Sequence, residues 1–234
     1  MNMHGMGTAV PAWLTAISWV FVGVALFCAA ALLYDIYGRG HRQRVRAMEA
    51  VWPISALYFG PLALAIYARW GRPRTDKWRA EHEIAAETTL PAEATTRGIT
   101  GGAASTLAHF IGVPLVVLSS LTIAGLDLWA MILVIAAIAT ALLFGFEYFV
   151  TRGRQRSFSS GKGVGAALAI ALLTVLAFDM GMGGWMLFLH FFWIMPPPTD
   201  VAFLFLMQIG LVLGFLTGYP VMTWLAGRDT TEAA

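Results

Sequence analysis

The sequence predicts an all-α fold, an integral membrane bundle of about six transmembrane helices, and three observations carry that expectation. Of the 234 residues, 59% are apolar or aromatic and only 12% are charged, about half the ~25% charge of soluble domains. The apolar residues gather into six runs, each close to the ~20 residues that a helix needs to cross a hydrocarbon layer ~30 Å thick. Charged or Pro/Gly-rich breaks separate the runs. A net charge near +2 is too mild for a nucleic-acid binder held by phosphate neutralisation. The single cysteine, Cys28, lies inside an apolar run, which excludes a disulfide framework, a CxxC redox pair and a cysteine-based metal site.

After an N-terminal Met/His tail over 1–12, one transmembrane domain is expected over 13–226, with a C-terminal tail over 227–234. The first span, 13–34, runs uncharged to Asp35 and is followed by Arg39, Arg42, Arg44 and Arg46. It has no Lys or Arg before it and is longer than a signal-peptide core, so it is expected to be retained. The second, 50–68, holds Pro53 in its first turn and Pro61 after Gly60 in its middle, where the carbonyl of Leu57 loses its usual partner and a kink is expected. Residues 70–98 form a polar loop with room for a short surface helix, basic from Arg72 to Arg79 and acidic from Glu81 to Glu93. The third span, 101–124, contains Pro114, a second expected kink, and a tight turn at Gly125 and Asp127 leads to the fourth, 128–150. The fifth run, 164–194, exceeds a perpendicular crossing, so it tilts, breaks near Gly181 to Gly184, or projects past the membrane. Pro196, Pro197 and Pro198 end it. The sixth, 201–225, carries Gly210, Gly214 and Gly218 on one face, a small-residue stripe suited to close packing inside the bundle, with homodimerisation as the alternative.

Six spans place both ends of the chain on one side. That side collects Arg69, Arg72, Arg74, Lys77, Arg79, Arg97, Arg152, Arg154, Arg156, Lys162 and Arg228, against Arg39, Arg42, Arg44 and Arg46 opposite, eleven to four. By the positive-inside rule both termini are expected in the cytoplasm. The four arginines after the first span argue against that orientation. Trp13, Trp52, Trp70, Trp78, Trp129, Trp193 and Trp224 lie near span ends, as interfacial belts require.

Charges inside spans cost ~2.5 to 3.5 kcal/mol on insertion scales, so each asks for a reason. Asp179 shares a helix stripe with Met182, Met186 and His190, and thioether plus imidazole suit Cu(I). Met3, His4 and Met6 repeat that chemistry in the tail. The plainer account is that the methionines fill packing gaps and the tail is a solvated terminus. Glu147 is placed to reach Arg152 or the aqueous interface. His109 sits near Pro114, where its imidazole can donate to a carbonyl or meet an acid across the bundle. Gln208 precedes the glycine stripe as an interhelical hydrogen-bonding residue. Asp179, Glu147 and His109 together would make a proton relay if the fold gathers them. No Walker A loop, GxGxxG, HExxH, GxSxG or paired haem histidines occur, so an enzyme is not the expected class.

The segment Val51-Trp52-Pro53-Ile54-Ser55-Ala56-Leu57-Tyr58-Phe59-Gly60-Pro61-Leu62, with Met207-Gln208-Ile209-Gly210 and Gly214-Phe215-Leu216-Thr217-Gly218-Tyr219-Pro220-Val221, resembles a bacterial family of small polytopic membrane proteins, domain of unknown function 4396. Gly184-Trp185-Met186 fits the same pattern, and the resemblance extends over residues 45 to 226. It carries no established activity. It implies that relatives place cysteines near Gly101 and Ser105, an Asp at His109 and a Glu at Asp179, and so a polar group at both of the last two positions. The expected function is that of a small transporter or metal-ion handling protein with copper as the favoured ion. The alternative is a non-catalytic accessory or assembly subunit of a larger membrane complex. The expected partners are the lipid bilayer and a second copy or a complex subunit.

Overall fold

The computed structural model describes residues 10–82, 89–154, 161–192 and 194–232, and among them it is helical with no named strand. Helix α1 (Ala12–Leu33) continues as a π-turn over Tyr34–Gly38, α2 is Met48–Phe59, and α3 (Pro61–Ile66) continues as a π-turn over Tyr67–Gly71. The short α4 (Asp76–His82) realises the expected surface helix. Then follow α5 (Leu90–Ser119), α6 (Asp127–Arg154), α7 (Gly161–Phe191) and α8 (Val201–Glu232). Five of these stretches are long and apolar enough to cross a membrane: Ala12–Gly38, Leu90–Ser119, Asp127–Tyr148, Val164–Phe191 and Val201–Arg228. The chain is therefore a multi-pass membrane protein.

The expected second span is the exception. It is not one helix over 50–68 but two short arms that double back. Gly60 takes φ 54° and ψ −128°, a conformation open to glycine and strained for any side chain, and Pro61 then starts α3 at its first position. Tyr67 follows Trp52 by fifteen positions, ~22 Å along a straight helix, yet their rings lie 5.3 Å apart. A Cβ added at Gly71 would meet the same Trp52 ring at 2.7 Å. The 12 residues of α2 rise only ~18 Å, too little for a ~30 Å layer, so α2 and α3 form a hairpin whose two open ends lie together. The kink expected at Pro61 is a full reversal. Pro114, by contrast, stays within a continuous α5.

Lipid supplies no hydrogen bonds, so a reversal inside the bundle must satisfy its own backbone. Gln208 on α8 does this, its Nε2 donating to the carbonyl of Leu57, the acceptor that Pro61 cannot serve. Tyr58, fully buried, donates to the carbonyl of Ile99 at 3.3 Å, and Phe59 meets Phe215 edge-on at 4.9 Å. The hairpin tip is thus seated on α5 and α8.

Helices α5 to α8 run up and down, and α1 with the hairpin packs on the α5 and α8 side. The end of α1, the open ends of the hairpin, α4 and the start of α5 share one end of the bundle, here the near face. Asp35 joins Tyr67 and Arg72, Lys77 donates to the carbonyl of Arg39 at 2.6 Å, and Arg74 donates to Thr96 at 2.8 Å. The end of α8 reaches the same face, where Met222 and Ala226 cluster with Ala94. The start of α8 lies at the far face beside the first half of α1, as the Phe21–Phe205 ring contact shows. Helix α1 therefore begins at the end opposite to that where α8 finishes. The α5–α6 turn is tight as expected, with Ser120, Ala124 and Gly125 all at positive φ.

The most extensive helix pairing is α7 with α8, and the glycine stripe builds it. A Cβ at Gly210 would meet Trp185 and Met182, and one at Gly214 or Gly218 would meet Phe178. Gly181 reciprocates, its added Cβ falling 2.5 Å from the Leu213 carbonyl oxygen. The stripe is spent on intramolecular packing. Helix α7 runs unbroken through Gly181 to Gly184.

Candidate functional site

A small cleft opens midway along the bundle between α5, α6 and α7, lined by Gly101, Ser105, Ala139, Thr174, Phe178 and Asp179, with Val175 beside them. Helical spacing explains the set: Gly101 and Ser105 are one turn apart on α5, and Thr174, Phe178 and Asp179 are neighbours on one face of α7. Glycine and alanine at 101 and 139 remove side-chain bulk and leave the space. Asp179 is half-buried and forms no hydrogen bond or ion pair with any described residue. A carboxyl buried among apolar helices without a cation is costly to ionise.

The other expected relay members do not join it. His109 lies one turn beyond Ser105 and is held by that residue's carbonyl, with Nδ1 at 2.7 Å. A carbonyl only accepts, so Nδ1 carries a proton. Neither His109 nor Glu147 lines the cleft. Glu147 is half-buried on α6 and is partnered. Gln208 serves the hairpin, and its Oε1 is buried without a hydrogen-bond partner among the described residues.

The methionine stripe divides. Met182 and Met186 are both buried in the main hydrophobic cluster, and Met182 lies 3.6 Å from the space above Gly210 on α8. His190 is buried near the far end of α7, its Nδ1 without a hydrogen-bond partner among the described residues, against the edge of Phe191. Among the described residues no group of three or more His, Cys, Asp or Glu could hold a metal ion. Met3, His4 and Met6 lie outside the described residues, as does Trp193. Trp52, expected in an interfacial belt, is instead buried inside the hairpin mouth, while Trp13, Trp129 and Trp224 are exposed at helix ends.

A second polar cluster was not singled out from the sequence. Asp35, its side chain 13% exposed, accepts a hydrogen bond from Tyr67 at 2.9 Å and pairs with Arg39 at 3.3 Å, His41 at 3.3 Å and Arg72 at 3.7 Å. Arg72 Nε donates to His41 Nε2 at 3.3 Å, which ties His41 to the same group of residues. Burial, then Asp35 itself, pushes the Tyr67 phenol above its ordinary pKa and keeps it a donor. One sequence signal marks this cluster: both partners sit on Tyr-x-x-x-Gly segments, 34–38 and 67–71. Each forms a π-turn in which the glycine lies against its own tyrosine ring.

Beside it, Arg42 grips Glu49 through Nε to Oε1 at 2.7 Å and Nη2 to Oε2 at 2.8 Å, and the backbone N–H of Gln43 adds a third bond. The Arg42 hydrogen bonds, more than its charge, hold the Glu49 carboxyl below the usual range. The stabilisation is therefore present at neutral pH and is lost as pH falls through the lowered value. In detergent, the difference in Tm between wild type and Arg42→Gln is expected to be constant above pH ~4.3, the ordinary glutamate value, and to close below it. A difference that grows on acidification would contradict this account.

The fold and the cleft define a polytopic α-helical membrane protein with a polar group held at mid-depth. Comparison with family models matches residues 92–230 to the domain of unknown function 4396. The chain belongs to that family, and the match covers α5 to α8, with the cleft and the glycine stripe. The segment from Val51 to Leu62, on which the resemblance also drew, lies outside the matched residues, as do α1 and the whole hairpin. No curated protein and no solved structure matches the chain.

Proposed function

We propose that this is a small ion-handling or transport protein of the bacterial cytoplasmic membrane, with Asp179 as the group that takes up and releases a proton or small monovalent cation. The observation that carries this reading is a half-buried carboxyl, without a partner among the described residues, in a cleft that Ser105 and Thr174 also line. Intramembrane acids of this kind mark ion paths and proton relays. The two positions where the family resemblance implies cysteines, Gly101 and Ser105, line the same cleft, which supports it as the site that members share.

Copper has weaker support, because Met182 and Met186 are both packed in the main hydrophobic cluster, Met182 against α8. The test is flux. Purified protein in vesicles is challenged in turn with proton, Na⁺ and K⁺ gradients, each read by an entrapped dye selective for that ion. Wild type is expected to discharge at least one of them, and Asp179→Asn to lower that flux to the level of empty vesicles, since the ionisable group is gone. Glu147→Gln should keep it. Equal flux in wild type and Asp179→Asn, or none above empty vesicles, would sink the reading.

A further inference from the structure

Every lysine and arginine of the described residues belongs to an element at the near face. They sit in the α1–α2 link (Arg39 to Arg46), at the hairpin exit and in α4 (Arg69 to Arg79), in the third turn of α5 (Arg97), at the end of α6 (Arg152, Arg154), at the start of α7 (Lys162) and towards the end of α8 (Arg228). The far-face links, 120–126 and 194–200, contain none, and neither do the residues before α1. The eleven-to-four division of the six-span reading disappears once the hairpin brings the four arginines after α1 to the side of the others.

From this we infer that the near face is seated in the anionic headgroup layer of the cytoplasmic leaflet. The α2–α3 hairpin then enters and leaves the bilayer from the cytoplasm, and the chain crosses five times. The start of α1 lies outside the cell and the end of α8 lies inside, in place of two cytoplasmic ends. Charge complementarity selects the occupant, since the cytoplasmic leaflet carries the anionic lipids that attract basic segments.

The local chemistry agrees with that choice. Arg46 and Arg69 are exposed and pair with no carboxylate among the described residues. Arg69 lies 5.9 Å from the Trp70 ring centroid and Arg228 4.5 Å from that of Trp224. An arginine over an interfacial aromatic is suited to the headgroup layer, where one end of the pair meets phosphate and the other meets acyl chain. The far face has exposed aromatics too, Trp13 and Trp129, but no cation beside them.

The test uses the full chain with Cys28→Ala, which removes the one buried thiol, and single cysteines at the exposed positions Ala47, Ala80, Thr122 and Thr199. An impermeant maleimide is expected to label Thr122→Cys and Thr199→Cys in intact spheroplasts, and Ala47→Cys and Ala80→Cys only in inverted vesicles. Labelling of Ala47→Cys and Ala80→Cys from opposite sides would overturn the hairpin, and labelling of both from outside would overturn the orientation. Lipid seating has its own readout. Exchanging phosphatidylcholine for phosphatidylglycerol in reconstituted vesicles should raise Tm, and Arg46→Ser with Arg69→Ser should remove the gain; equal values in both lipids would overturn the seating.

Discussion

Gly181→Ala is expected to destabilise the detergent-solubilised protein by about 1–3 kcal/mol, the cost of overpacking a filled contact. Gly183→Ala and Gly184→Ala, on the same helix, should cost nothing and can gain up to ~1 kcal/mol from helix propensity. The difference is one of neighbours. A Cβ at 181 would fall 2.5 Å from the Leu213 carbonyl oxygen and 2.6 Å from Thr217 Oγ1, whereas at 183 and 184 it meets nothing within 4 Å. Leu213 offers backbone, not a flexible side-chain end, so α8 itself must move. That movement also pulls on Thr217, whose hydroxyl donates across the crossing to the Ala177 carbonyl at 2.9 Å. Thermal unfolding in one mild detergent checks the series. A Gly181→Ala protein as stable as Gly184→Ala would mean that α7 and α8 are not in backbone contact.

Asp35→Leu is expected to release the returning arm of the hairpin from α1. Removing one partner of a buried ion pair costs ~3–5 kcal/mol because the remaining charge stays uncompensated, and Arg39, half in solvent, moves this case toward the lower end. The cost arises from buried Tyr67, which loses its acceptor, and from Arg72, which loses its pairing carboxylate at 3.7 Å. Asp76→Ala is the control. It breaks the Arg44–Asp76 pair at 2.9 Å, but with both side chains well exposed the loss should stay below ~1 kcal/mol. The measurements are Tm and limited proteolysis of residues 72–82. Equal protection of that segment in Asp35→Leu and Asp76→Ala would show that the cluster does not hold the hairpin.

Much of the fold was legible because a bilayer imposes length and polarity on a helix directly. The five apolar helices, the tight turn at Gly125 and the packing role of Gly210, Gly214 and Gly218 follow from runs and spacings that a chain states locally. The second span misled for a physical reason. Composition over 50–68 is that of a crossing helix, and the choice between a kink and a reversal at Gly60-Pro61 rests on partners far away in sequence: Gln208 for the Leu57 carbonyl, Phe215 for Phe59 and Ile99 for Tyr58. The candidate site divided in the same way. Asp179 was evident as a charge inside an apolar span. Its neighbours were not, because helices α5 and α6 contribute Gly101, Ser105 and Ala139, residues too small and common to draw notice alone.

The sequence by itself determined that this protein lives in a membrane, that it is helical, and that its cations gather in the links between apolar runs. Only the tertiary structure decided how those links are distributed between the two ends of the bundle, which acids stand alone, and which methionines are packing. Each of those depends on contacts between residues distant along the chain, whose energies a local pattern of hydropathy and charge does not contain.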